Sequence, residues 1–168
     1  MNPETRTVLE EVLRGRHFKV GIDLGCGEGY YSDIMKQHVG YLIGVDHSIE
    51  RLSVAKNFAH YDKIVWADMR EYEIPPDTEV VFMLDSLEHI PKDDGYKLLS
   101  KLENVFLVIT TPSRMGRWGI AGIRNGHQAL WTEQELQELG FKTRTYNVFF
   151  FSWFYGPEIL AIREAKII

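Results

Sequence analysis

The chain has 168 residues, a formal net charge of −5, and 45% apolar and 26% charged residues. That length suits about one domain, and the composition excludes wholesale disorder and a fibrous repeat. The acidic balance gives no global field for nucleic acid, and no apolar run reaches the ~18 residues of a membrane span.

The opening stretch, MNPETRTVLEEVLRG, is charged and lacks a signal-peptide apolar core, so no secretory leader is expected. Asn2 and Pro3 read as an N-cap and a first helical residue. Val8, Leu9, Val12 and Leu13 then form a helical stripe that stops at Gly15, placing a helix in 1–15. Strands and helices alternate from there. FKVGIDL (18–24) is the first strand. A glycine-rich turn leads into a helix carrying Ile34 and Met35 that should end at Gly40. YLIGVD (41–46) is the second strand, and Ser48 caps a helix with Ile49, Leu52, Ala55 and Phe58. KIVWAD (63–68) and EVVFMLD (79–85) are the third and fourth strands. A helix weakened by Gly95 follows over 91–102, then a fifth strand, VFLVITT (105–111). Apolar runs separated by helices predict buried parallel strands.

The link 69–78 (MREYEIPPDT) holds two prolines and is too short for a full helix. A crossover past the first strand must cover about 25 Å, and ten extended residues reach about 33 Å, so the link suffices without one. Residues 112–131 hold four glycines and no clear period, as a substrate-side loop or lid does. Thr132-Glu-Gln-Glu135 is a capping box opening a helix that stops at Gly140. Two strand-like runs, 141–149 and 159–165, flank Gly156-Pro157 and read as a hairpin. No linker or repeat interrupts the chain, so 1–168 reads as one domain.

The first strand ends in Asp23-Leu24-Gly25-Cys26-Gly27-Glu28-Gly29. Such a turn lets a ligand approach the backbone, and the next helix offers free N–H groups. A nicotinamide dinucleotide competes for this turn, but its usual spacing is G-x-G-x-x-G. Here the spacing is G-x-G-x-G, and the Asp23 carboxylate would repel a pyrophosphate. It suits a cationic ligand without phosphate, and S-adenosylmethionine, with an ammonium, a sulfonium and a ribose, meets that description. Asp46, ending the second strand, is placed to accept hydrogen bonds from ribose hydroxyls. Asp68-Met69 and the segment Leu84–Pro91 lie at further strand ends, where open α/β sheets bind ligands.

With these motifs in order, the sequence resembles the class I S-adenosylmethionine-dependent methyltransferases over roughly residues 17–165. VGIDLGCGEG resembles their first motif and YLIGVDHS their acidic second-strand motif. VVFMLDSLEHIP and HQALWTEQELQELGF resemble segments of members acting on small metabolites, including quinone precursors. The resemblance implies a Rossmann-like doubly wound α/β fold. Its sheet would be mostly parallel and seven-stranded, ending in an antiparallel hairpin. It implies S-adenosylmethionine as cofactor, a small-molecule acceptor and methyl transfer. Gly25, Cys26, Gly27 and Gly29 would line the methionine part, with Asp23 near its ammonium. Asp46 would bind the ribose, and His47 would lie beside the adenine. Asp68 and Met69 would hold the adenine edge, and the backbone at Leu84 and Asp85 would take the ammonium.

A non-catalytic module of the same fold, binding the cofactor or a partner, is the alternative. Glu88, His89 and His127 are the candidate general bases, needed if the acceptor is a hydroxyl or an acidic carbon. His89 reads equally as a loop anchor, and His127 and Trp131 as packing for the 112–131 loop. Arg114, Arg117 and Arg124 read as solvated charges or as contacts for an anionic acceptor. Cys26 reads as a small turn residue rather than a nucleophile. Its being the only cysteine rules out an internal disulfide and points to a reducing, cytoplasmic setting. The histidines are scattered and that cysteine is alone, so no metal site is expected. The aromatic run VFFFSWFY (148–155) reads as core by default. An interface, a membrane-surface contact or a substrate wall are its alternatives.

Overall fold

The apolar runs of the sequence become one seven-stranded sheet with the order β3-β2-β1-β4-β5-β7-β6 in a computed structural model. The structure describes residues 3–113, 126–150 and 153–166. Helix α1 is Pro3–Leu13, β1 is Phe18–Leu24, α2 is Ser32–His38 and β2 is Val39–Asp46. Helix α3 is Ile49–Phe58, β3 is Lys63–Trp66 and β4 is Val80–Leu84. A 3-10 turn at Leu87–His89 precedes α4 (Lys92–Lys101) and β5 (Phe106–Pro112). Helix α5 is Glu133–Glu138, β6 is Lys142–Phe150 and β7 is Trp153–Arg163. Strands β1 to β5 pair in parallel, and β7 pairs antiparallel with both β5 and β6. This is the expected α/β architecture, closing in the expected antiparallel hairpin.

Both faces of the sheet are covered, which is why the strands read as unbroken apolar runs. In β4, Val81 and Met83 join one layer with Leu98, Leu99 and Trp131, while Val80 and Phe82 join the other with Leu9, Leu13, Ile34 and Met35. The crossover 69–78 contains no helix, and Tyr72 and Ile74 pack on the first layer. Among the described residues, no helix is long and apolar enough to cross a membrane.

Several boundaries move. Helix α2 was expected to reach Gly40, but it stops at His38, because Val39 is 2% exposed and pairs with Phe18 as the first residue of β2. Strand β3 was expected to run to Asp68 and stops at Trp66. Asp68 instead starts a turn, its carbonyl accepting from Glu71 N (3.1 Å) and Tyr72 N (3.0 Å). Gly156-Pro157 was expected to be the hairpin turn. It lies inside β7, opposite Val148 and Asn147, and the β6–β7 pairing continues past it to Phe150 and Trp153. Proline donates no N–H to a ladder and is tolerated beside irregularities. Here a register shift falls between Val148 and Phe149, and the Pro157 carbonyl accepts from Ser113 N at 3.0 Å.

Gly95 has a packing reason that helix propensity conceals. A Cβ there would lie 2.6 Å from Trp131 Cζ2. Trp131 is fully buried and is held to α4 by the edge of the Tyr96 ring. Lys92 of α4 donates to the Leu130 carbonyl (2.7 Å) and pairs with Glu135, which closes the capping box with Thr132. The segment leading into α5 is thereby fastened to α4. Gly95→Ala is expected to destabilise by about 1–3 kcal/mol through overpacking, despite alanine's helix advantage of ~0.8–1 kcal/mol. Urea unfolding checks this, and a stabilised variant would reject the packing explanation.

Candidate functional site

The carboxyl ends of β1 and β2 are stapled together by backbone. Gly25 N and Cys26 N both donate to the Val45 carbonyl, at 2.8 and 3.0 Å. Asp46, 5% exposed, then grips the turn with its side chain. Its Oδ2 accepts from Gly27 N and its Oδ1 from Ser48 N, each at 2.8 Å. Gly25 has φ +79, and a Cβ there would lie 2.4 Å from the Ser86 Cβ. Only glycine meets both demands. Ser86 follows β4 and donates to the Leu24 carbonyl at 2.7 Å, so three strand ends converge on the turn.

Gly25, Asp46, His47, Asp68 and Met69 line one cleft, together with Arg70, His89, Ile90 and Gln128. The fold thus brings together residues that the sequence placed at three separate strand ends. His47 is largely exposed, and its carbonyl accepts from Trp66 Nε1 at 2.8 Å. Asp68 is already paired: Arg70 N and Nε donate to its Oδ1 at 2.9 Å each, and Arg70 Nη2 reaches Oδ2. The Arg70 guanidinium holds the Asp68 carboxyl below the usual range.

The other expected residues lie in and beneath the turn and at the end of β4, and are not among those lining this cleft. Asp23, 4% exposed, accepts from Tyr61 Oη at 2.6 Å. Burial pushes its carboxyl up to about 7; the Tyr61 hydrogen bond opposes this and the Asp46 charge adds to it. Cys26 is buried, and burial, then Asp23 and Asp46, push its thiol far up. It stays a thiol, as a turn residue does. Gly27 and Gly29 are buried in the turn with positive φ. Leu84 packs in the layer under α1 and α2. Asp85, a non-glycine with φ +51, turns back on β5. Its N–H donates to the Thr110 carbonyl (3.0 Å), and Thr110 Oγ1 donates to its Oδ1 (3.1 Å). Burial pushes the Asp85 carboxyl up to about 6.

A second group forms beside the cleft. Glu88, 2% exposed, accepts from Thr111 Oγ1 at 3.2 Å, and its carbonyl accepts from Gln128 N (2.7 Å) and Ala129 N (3.1 Å). His127 Nε2 lies 4.0 Å from Glu88 Oε1, and the His89 and His127 rings meet edge to face at 4.8 Å. Burial, then the Asp85 charge, raises the Glu88 carboxyl well above its ordinary value. Burial lowers both imidazoles, and the two rings also repel each other's charge at His89. The imidazoles are therefore held neutral and able to take a proton. One ligand atom from each of Glu88, His89 and His127 lies within 4.8 Å of the others. The expectation of no metal site rested on sequence separation, and the fold removes that separation. Arg114, Arg117 and Arg124 lie outside the described residues.

The sequence reading missed Tyr61, Arg70, Gln128 and Glu158. Glu158 had a visible signal, an acid immediately before the strand-like run 159–165. It is 3% exposed and accepts from Tyr146 Oη (2.7 Å) and Thr5 Oγ1 (3.1 Å). Burial, then Asp85, pushes its carboxyl from 4.5 up to about 8. The native state then holds a proton that the unfolded chain has released, so this group's contribution to stability falls as pH rises through that window. Glu158→Gln is expected to gain stability relative to the parent between pH 5 and pH 8.5, measured as the difference in Tm. A difference constant with pH would reject a protonated Glu158.

The methyltransferase domain family matches residues 22–106 of the chain. The mitochondrial ubiquinone biosynthesis O-methyltransferase of Schizosaccharomyces pombe is 30% identical over 127 residues, covering 68% of this chain and 46% of that protein. The ubiquinone biosynthesis O-methyltransferase of Nitrosomonas europaea is 33% identical over 98 residues, covering 54% and 41%. The chain thus spans less than half the length of these curated relatives. Among solved structures, the YcgJ protein of Bacillus subtilis superposes with a TM-score of 0.75 at 12% identity, covering 97% of this chain and 99% of that one. Magnesium protoporphyrin IX methyltransferase from Synechocystis PCC 6803, with bound SAH, gives a TM-score of 0.67 at 17% identity, covering 95% and 83%.

Proposed function

Because the chain belongs to the methyltransferase domain family, we propose that it binds S-adenosylmethionine in the cleft at Gly25, Asp46 and Met69 and methylates a small-molecule hydroxyl. The observation that carries this reading is the Asp46 carboxylate. Two backbone N–H groups fix its orientation, and a carboxylate has about four lone-pair sites, so two remain for a ribose diol. These features suit the cofactor.

When bound, S-adenosylmethionine would supply an electrophilic methyl group: the acceptor oxygen would bond to that carbon in line as its bond to sulfur breaks, and S-adenosylhomocysteine would leave. The protein's part is to bring the two within about 3–3.5 Å and to remove the hydroxyl proton. His127, kept neutral by burial, is our general base, with Glu88 beside it. The relatives named as ubiquinone biosynthesis O-methyltransferases support a phenolic acceptor. The lone cysteine supports a reducing, cytoplasmic setting.

The test is release of S-adenosylhomocysteine from S-adenosylmethionine with a panel of phenols. Turnover is expected with at least one member. Cofactor binding without turnover across phenols, amines and thiols would instead support the non-catalytic module. Asp46→Ala is expected to lose at least tenfold in cofactor affinity by calorimetry, since two charge-assisted hydrogen bonds contribute ~1.5–3 kcal/mol each. His127→Ala is expected to lower kcat by about 10²–10⁴ with cofactor affinity retained. A second reading has Glu88, His89 and His127 holding a divalent cation that polarises the acceptor. Turnover lost on dialysis against EDTA and restored by a divalent ion favours it, and turnover indifferent to EDTA favours the base.

A further inference from the structure

We propose that Tyr61 is a positioning residue of the cofactor site, its hydroxyl keeping the Asp23 carboxylate ionised and aimed from beneath the Gly25–Gly29 turn. The proposal rests on the methyltransferase reading, because the charge it serves is the cofactor's ammonium. Tyr61 lies between α3 and β3, far from the turn in sequence, yet its Oη donates to Asp23 Oδ2 at 2.6 Å. Its ring is fitted into the site by glycines. A Cβ on Gly29 would lie 2.9 Å from Tyr61 Cε2, and one on Gly44 of β2 would lie 2.8 Å from Tyr61 Cδ2. Both positions leave room for this ring, so its placement is a feature of the packing and not of an exposed rotamer.

The titratable groups facing Asp23 are Tyr61 from the α3–β3 connection, Asp46 from β2 and Cys26 from the turn. Strand β4 brings Phe82 alongside and no charge. Burial and the Asp46 charge favour the protonated acid, and the Tyr61 hydroxyl favours the carboxylate. Burial and Asp23 keep the phenol itself protonated, so it remains a donor. A hydrogen bond to the ionised form lowers an acid's pKa. Tyr61 thus supports ionisation at neutral pH, where the balance is close. A protonated Asp23 offers a cationic ligand no counter-charge.

The experiment is calorimetric titration with S-adenosylhomocysteine, from pH 5.5 to 9, of the parent chain, Tyr61→Phe, Asp23→Asn and the double variant. Phenylalanine keeps the ring and removes only the hydroxyl. Tyr61→Phe is expected to weaken binding about five- to tenfold at pH 7, with affinity returning above pH 8.5. The pH at which affinity falls should move up by about one unit. Asp23→Asn should bind weakly with no such transition, and Tyr61→Phe should add nothing on that background. A Tyr61→Phe profile superimposed on the parent's overturns the proposal. So does a loss equal at every pH and additive with Asp23→Asn, or a lowered Tm without a moved transition, since each marks a role in packing alone. A parent chain that binds no S-adenosylhomocysteine at any pH overturns the methyltransferase reading itself.

Discussion

The grip of Asp46 on the Gly27 and Ser48 N–H groups is the contact on which the rest of the cleft depends. A glycine-rich turn has high conformational entropy, and holding it in one shape requires several bonds at once. Here the Val45 carbonyl accepts two N–H groups and the neighbouring carboxylate accepts two more. All four bonds converge on the last residues of β2. The approach of Ser86 to Gly25 then ties β4 to the same point. The position of the turn is therefore set by the sheet itself, whose strands cannot slip without unpairing both apolar layers.

Around this frame several acids are withdrawn from water. Asp23, Asp85, Glu88 and Glu158 are all pushed up first by desolvation. Each is met by a hydroxyl, from Tyr61, Thr110, Thr111 and Tyr146 respectively. A hydroxyl accommodates either protonation state, because it both donates and accepts. Arg or Lys at these positions would hold the acids permanently charged, as Arg70 does for Asp68 near the surface. Perturbed acids gathered at the carboxyl end of a parallel sheet are what a binding and proton-handling site needs, and they work against stability at neutral pH.

The two histidines of the site come together through a different device. Trp131 fills the space left by Gly95, and the backbone of Glu88 accepts from Gln128 and Ala129. These contacts draw residues 126–131 onto the 3-10 turn after β4. His127 and His89 meet as a result, although 38 positions separate them. The segment that the sequence suggested as a loop is thus anchored over its last residues.

What the sequence determined by itself was local. Periodicity and apolar runs marked the strands. The G-x-G-x-G turn, Asp46 and the Thr132 capping box were legible because each depends on residues close in the chain. Tertiary structure decided whatever needed distant partners. It put Tyr61 under Asp23 and His127 beside Glu88. It also moved Gly156-Pro157 from the expected turn into β7, because pairing with β6 extended the strand through them. The physical reason is common to all of these. Spacing along the chain reports backbone conformation, whereas burial, and with it the raised carboxyls of Asp23, Asp85, Glu88 and Glu158, depends on which side chains the closed sheet brings face to face.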